Sequence, residues 1–173
     1  MRPVEYAQIL LGCLGAEIST GPYPIDDAYV CLRFGGDVAP MLGTETDECC
    51  TGLVWVRVAG ASRIGPEGDD PQFNVCLHPG RRLTLEMGTA RCIPYGTVQR
   101  PTSCEEWTEA ALKMDADHQA MEAALCCFRA AVSAMPYAPH AIVATEYQPS
   151  GPDGNCILAT LQLTLDYSCR CGS

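Results

Sequence analysis

The strongest constraint on the fold is one uninterrupted apolar stripe. Trp107, Ala111, Met114, His118, Met121, Leu125, Phe128, Val132 and Met135 recur at alternating steps of four and three, the period that keeps side chains on one face of an α-helix. Ser103, followed three residues later by Glu106, supplies a capping-box start, and Pro136 and Pro139 supply the stop. The spacing predicts one helix of about 30 residues, roughly 45 Å at 1.5 Å per residue. So long a helix with an apolar stripe needs a sheet or a second helix to cover it.

The remaining elements are arranged around that helix. Pro3 opens a second, shorter stripe of Val4, Ala7, Leu11, Leu14 and Ile18, which predicts a helix over 3–19. Gly21, Pro22 and Pro24 close it. Strands are expected at 28–34, 53–58, 73–77 and 83–89, with Pro79-Gly80 as a turn between the last two. In 83–89, Leu83, Leu85 and Met87 alternate with Thr84, Glu86 and Gly88, so one face meets a core and the other meets solvent or a neighbouring subunit. After the long helix, strands at about 140–148 and 156–168 flank the turn formers Ser150 to Asn155 as a terminal hairpin. Leu161, Leu163, Leu165 and Tyr167 are expected to lie against the long helix. Irregular stretches at 35–51 and 60–71 read as long loops.

The order αββββαββ lacks the regular βα alternation of a parallel sheet. It therefore predicts a single α+β domain over 1–173, with a mostly antiparallel or mixed sheet and both helices on one face. A chain of 173 residues buries enough surface to fold as one unit without staples. No apolar run reaches the length of about 18 residues that crosses a bilayer, and Glu5, Gln8 and Glu17 break up the N-terminal stretch as a secretory segment. No membrane is expected.

Eleven Lys and Arg face twenty-one Asp and Glu, a net charge of -10. That balance opposes a nucleic-acid footprint, which needs clustered cations to displace counterions from phosphate. A nucleophile would need a base, yet only His78, His118 and His140 are present, none in a recognisable catalytic signature. His118 falls on the apolar stripe and reads as a packing residue. The acidic pairs Asp26-Asp27, Asp47-Glu48, Asp69-Asp70 and Glu105-Glu106 read as solvated loop or first-turn residues, and no phosphate-cradling glycine motif follows a strand. No enzyme activity and no cofactor are expected.

Twelve cysteines admit three readings. Cys76-x-His78, Cys169-x-Cys171, Cys49-Cys50 and Cys126-Cys127 carry soft ligand atoms for zinc, without a C-x-x-C pair. Disulfides near the exposed termini and loops, at Cys49, Cys50, Cys169 and Cys171, are a second reading, with no pairing assigned. The simplest reading is small buried hydrophobes and scattered thiols, with Cys126-Cys127 on a helix beside the core.

Three stretches together resemble the tail terminator and head-to-tail connector (neck) proteins of long-tailed bacteriophages: Leu83 to Pro94, the helix carrying Ala124-Leu-Cys-Cys127, and Leu161 to Cys171. The opening helix and the Cys49-Cys50 loop before a Trp-containing strand agree with that group. The resemblance implies a structural virion protein, a homohexameric ring that caps the tail tube and joins it to the head. Its partners would be other copies of itself, the tail-tube protein and a head-completion or stopper protein, in a virion neck assembled in the host cytoplasm. DNA would pass through without specific binding, and the acidic loop residues Asp37, Glu45, Asp47, Glu48, Asp69 and Asp70 are the candidates for lumen or interface positions. Another neck ring, an adaptor or stopper, or a zinc- or disulfide-stabilised binding module, are the alternatives.

Overall fold

A computed structural model describes residues 2–26, 29–35, 52–64, 80–92, 94, 96, 100–136, 138–153 and 156–168. In chain order these form α1 (Pro3–Thr20), β1 (Val30–Phe34), β2 (Leu53–Ile64), β3 (Gly80–Cys92), α2 (Cys104–Ser133), β4 (Ala141–Ala144), β5 (Gln148–Asp153) and β6 (Cys156–Ser168). The class is α+β, with a six-stranded mixed sheet ordered β1-β2-β3-β6-β4, and β5 also on β6. β1 runs parallel to β2 and every other pairing is antiparallel.

Both helices start where their caps dictate. At α2 the Ser103 side chain accepts from the Glu106 N–H at 3.2 Å, while the Glu106 carboxylate accepts from the Ser103 N–H at 2.8 Å, so two otherwise orphaned donors are satisfied. At α1, Pro3 takes the first helical position and Glu5 reaches back to the Arg2 N–H at 2.8 Å.

Alternation on the strands decides the layers. Val54, Val56 and Val58 of β2, Leu83, Leu85 and Met87 of β3, and Ala159, Leu161, Leu163, Leu165 and Tyr167 of β6 share one buried face. Against it lie Tyr6, Leu10, Leu14 and Ile18 of α1 and Met121, Leu125, Phe128 and Val132 of α2. Each such large apolar side chain contributes roughly 1.5–3 kcal/mol on leaving water. The β6 row lies in one core with the long helix, as expected, and reaches α1 as well, since the Tyr167 ring meets Tyr6 at 5.7 Å between centroids.

Several boundaries also differ. β2 continues to Ile64, so 60–64 is strand and not loop: the chain steps through a bulge between Val58 and Gly60 and then stays paired with Thr84 to Gly80. Bulges of this kind keep a strand running where its alternation breaks. Gly80 opens β3 instead of closing a turn. The expected strand at 140–148 is two short ones, interrupted at Thr145–Tyr147, and Ser150–Asp153 belong to β5. The expected strand at 73–77, and the loop from 36 to 51, lie outside the described residues.

Candidate interaction surfaces

α2 is fixed to the sheet by a buried ion pair. The apolar stripe of a helix is an unusual place for a carboxylate, yet Asp117 sits there, 1% exposed, between Met114 and Met121. It accepts from Arg91 Nη2 at 2.6 Å and Nε at 2.9 Å, and Arg91 also donates to the Tyr23 carbonyl at 2.7 Å. One guanidinium thus ties β3, α2 and the segment after α1 together with the bidentate geometry that suits it.

Beyond that anchor, the start of α2 stands clear of the core. Cys104, Glu105, Trp107, Thr108, Glu109, Ala111 and Leu112 are exposed, and only Ala110 is buried among the first nine helical residues. Trp107 is 46% and Leu112 52% exposed. The expectation that Trp107 and Ala111 face the core is corrected, because the buried stripe begins at Ala110 and Met114. The periodicity is real, but among the described residues the sheet covers the helix only from Ala110 onward. Thr102, just before the helix, donates to the Pro94 carbonyl at 3.2 Å, which places this overhang at the Cys92 end of β3.

The break between β4 and β5 has a local cause. Tyr147 leaves the edge of the sheet, donates from its hydroxyl to the Met114 carbonyl at 3.1 Å, and stacks on His118 at 4.3 Å. Burial, with Asp117 and Asp115 nearby, pushes the Tyr147 hydroxyl up to about 12. Thr145 spans the gap: its N–H and Oγ1–H donate to the Gln162 carbonyl, and its Oγ1 accepts from the Gln162 N–H. His118 is half-buried against this ring and lies 3.5 Å from Glu122, the packing role expected of it.

On the sheet face away from the helices, charges are laid out in pairs. Arg57 forks onto Glu86 at 2.7 and 2.9 Å, and Gln162 donates to the same carboxylate at 3.1 Å. Arg82 forks onto Asp166 at 2.8 and 2.9 Å. Burial alone raises the Glu86 carboxyl, but the Arg57 and Gln162 hydrogen bonds outweigh it and hold the group below the ordinary range; Arg82 does the same for Asp166. On this face Arg82 and Gln162 are exposed, whereas Glu86, 5% exposed, and Gly88 are buried beneath their neighbours. Trp55 lies flat across Gly88, where an added Cβ would sit 2.3 Å from the indole Cζ2. The indole N–H helps lower Glu86 without closing a hydrogen bond of good geometry.

The cysteines divide differently from the simplest reading. Cys13 and Cys127 form a disulfide with Cα atoms 5.9 Å apart, linking α1 to α2, and Cys92 is also a half-cystine. Cys126 and Cys127 are both exposed on α2: Cys126 is a free thiol, within the simplest reading, whereas Cys127 is corrected to a half-cystine that bonds across the helix pair. Among the described residues no group of three or more His, Cys, Asp and Glu converges to hold a metal ion. Cys49, Cys50, Cys76, His78, Cys169 and Cys171 lie outside them. So do Asp37, Glu45, Asp47, Glu48, Asp69 and Asp70, the lumen or interface candidates. Among the described residues no helix is long and apolar enough to cross a membrane.

Sequence reasoning passed over Arg91, Asp117, Arg57, Glu86 and Tyr147. Asp117 carried a signal, a carboxylate three residues after Met114 and four before Met121 on an apolar stripe. The others carried none, since their partners are between 26 and 76 residues away. No known protein family and no curated protein matches this chain.

Proposed function

We propose that the chain is a structural subunit of the phage neck, a ring-forming tail terminator that caps the tail tube and joins it to the head, with no catalytic role. The observation that carries this reading is the distribution of exposed apolar side chains. Tyr29 before β1, Trp107 and Leu112 on α2, and Val143 on β4 are 41–61% exposed. They sit on separate flanks, with Tyr29 and Val143 at opposite edges of the sheet. Single exposed apolar residues are ordinary; one at each edge and two on a protruding helix suit a subunit that meets neighbours on several sides. A homo-oligomeric ring needs two different contact surfaces on each copy.

The stretches that carry the resemblance, Leu83 to Pro94, Ala124 to Cys127 and Leu161 to Cys171, fall on β3, α2 and β6 as far as they are described. These are the elements that pack on one another at the centre of the sheet, so the resemblance concerns one connected unit. The paired charges around Glu86 and Asp166 agree with a wall that offers phosphate few free cations.

Deletion of the gene from the phage, followed by negative-stain electron microscopy of the lysate, tests the reading. Overlong tails are expected. Detached tails of normal length would assign the chain to an adaptor or stopper ring, and intact virions would refute a neck role.

A disulfide-stabilised binding module is the second reading, favoured by the Cys13–Cys127 cystine. Disulfides seldom persist in a reducing cytoplasm, so a subunit assembled there keeps this pair open until release, whereas a module made for an oxidising compartment closes it at once. Acid-quenched alkylation of thiols in producing cells separates the two.

A further inference from the structure

We infer that the thiol of Cys156 exchanges with the cystine of Cys92, so that one disulfide moves between two positions while the number of thiols in the chain stays constant.

The last rung of the β3–β6 ladder sets Cys92 directly opposite Cys156. Residues directly opposite in an antiparallel pair share a face and have Cα atoms about 4.5 or 5.5 Å apart. Cystines span Cα separations of about 4.4–6.8 Å, so the two strands already hold this pair at bonding distance. Yet Cys156 carries a thiol, and Cys92 is bonded elsewhere. Among the described residues Cys13 bonds Cys127, while Cys31, Cys104, Cys126 and Cys156 are thiols. The partner of Cys92 is therefore one of Cys49, Cys50, Cys76, Cys169 and Cys171, which lie outside them.

Position sets Cys156 apart from the other thiols. Cys104 and Cys126 are exposed on α2, and Cys31 stands opposite Trp55 on β1, separated from β3 by β2. Register gives Cys156 alone a half-cystine as its cross-strand neighbour. It is 1% exposed, so thiols and oxidants in solution reach it poorly, and the sulfur within its reach is that of Cys92.

The step balances without a co-reactant. Cys156 loses its proton to water, and its thiolate attacks Cys92 Sγ. The Cys92–Cys156 bond forms as the original bond breaks, and the departing thiolate takes up a proton. Both bonding electron pairs stay among three sulfur atoms, and nothing is oxidised or reduced overall. The consequence is mechanical. In one isomer Cys92 tethers a distant part of the chain to the end of β3. In the other that tether is released and the bond clamps β3 to β6, beside the Arg91–Asp117 pair that holds α2. This exchange stands apart from the ring reading and survives or fails independently of it.

The test uses the full chain, purified without reductant and kept under argon. One portion is quenched with acid at once and another after incubation at mildly alkaline pH, where thiolate attack is fast. Thiols are blocked with N-ethylmaleimide in acidic denaturant, and peptic peptides joined by disulfides are sequenced by mass spectrometry. The original Cys92 link is expected to fall as a Cys92–Cys156 link rises one for one, with the count of blocked thiols per chain unchanged. Cys156→Ser should keep the original link through the same incubation; if that variant does not fold, the wild-type time course decides alone. A Cys92 link that never changes overturns the proposal, whichever partner it joins. So does loss of the original link at the same rate in Cys156→Ser, or a falling thiol count, which would mean oxidation. A mixture of isotopically light and heavy protein is incubated in parallel, and Cys92–Cys156 links formed only between copies also overturn it.

Discussion

Replacing Asp117 by alanine removes the only carboxylate on the Arg91 guanidinium among the described residues, and Arg91 has no room to recover water. Its side chain is 10% exposed and that of Asp117 1%. One hydrogen bond survives, to the Tyr23 carbonyl at 2.7 Å, but a neutral acceptor does not compensate a buried cation. Breaking one partner of a buried pair costs about 3–5 kcal/mol. For a chain of 173 residues an unfolding entropy of about 2.1 cal/mol/K per residue turns each kcal/mol into roughly 3 °C, so Tm should fall by about 8–14 °C. Removing both charges, as Arg91→Met with Asp117→Leu, should recover most of that loss, because the expense lies in the stranded charge and not in the missing attraction. Thermal and urea unfolding of the two single variants and the double measure this directly. A loss below about 1 kcal/mol in Asp117→Ala, or a double variant as unstable as the sum of the singles, would refute the reasoning.

Reducing the Cys13–Cys127 bond, which closes a separation of 114 residues, should lower unfolding free energy by about 4.8 kcal/mol on the chain-entropy account; comparing urea midpoints of the wild type and Cys127→Ala checks it. Gly88→Ala should destabilise by about 1–3 kcal/mol or more, because its Cβ would meet Trp55 at 2.3 Å and the Ala159 backbone oxygen at 2.8 Å, and that oxygen cannot swing away; a neutral result in thermal unfolding would deny the close packing. Glu86, held below its ordinary value of 4.5, stabilises the fold fully above that pH. The contribution is lost as pH falls through the lowered value, so Glu86→Gln should flatten the acid limb of a stability–pH profile. The Tyr147 hydroxyl, pushed up from 10.0 to about 12, should remain protonated past the ordinary tyrosine range in an ultraviolet absorbance titration, and its stabilising effect should be complete below pH 10.0 and lost as pH rises through about 12.

The two helices, the core faces of β2, β3 and β6 and the α+β class were legible from the residues, because period and capping act over three or four positions. The Ser103–Glu106 capping box and the Leu161–Tyr167 alternation are local facts that tertiary structure had no reason to override. Weak signals failed where distant neighbours decide: Gly60 to Ile64 reads as loop by composition but is held as strand by pairing with β3, and Tyr147 breaks an edge strand because Met114 and His118 offer its ring and hydroxyl a place.

The sequence by itself determined where the chain coils, where it extends and which side of each element is apolar. Only the tertiary structure decided that Asp117 meets Arg91, that Cys13 meets Cys127, that Trp55 lies over Gly88 and that the first turns of α2 stay exposed among the described residues. The physical reason is range: backbone geometry and side-chain period act within a turn or a strand, whereas ion pairs, disulfides and uncovered surface depend on which distant segments the topology brings to the same place.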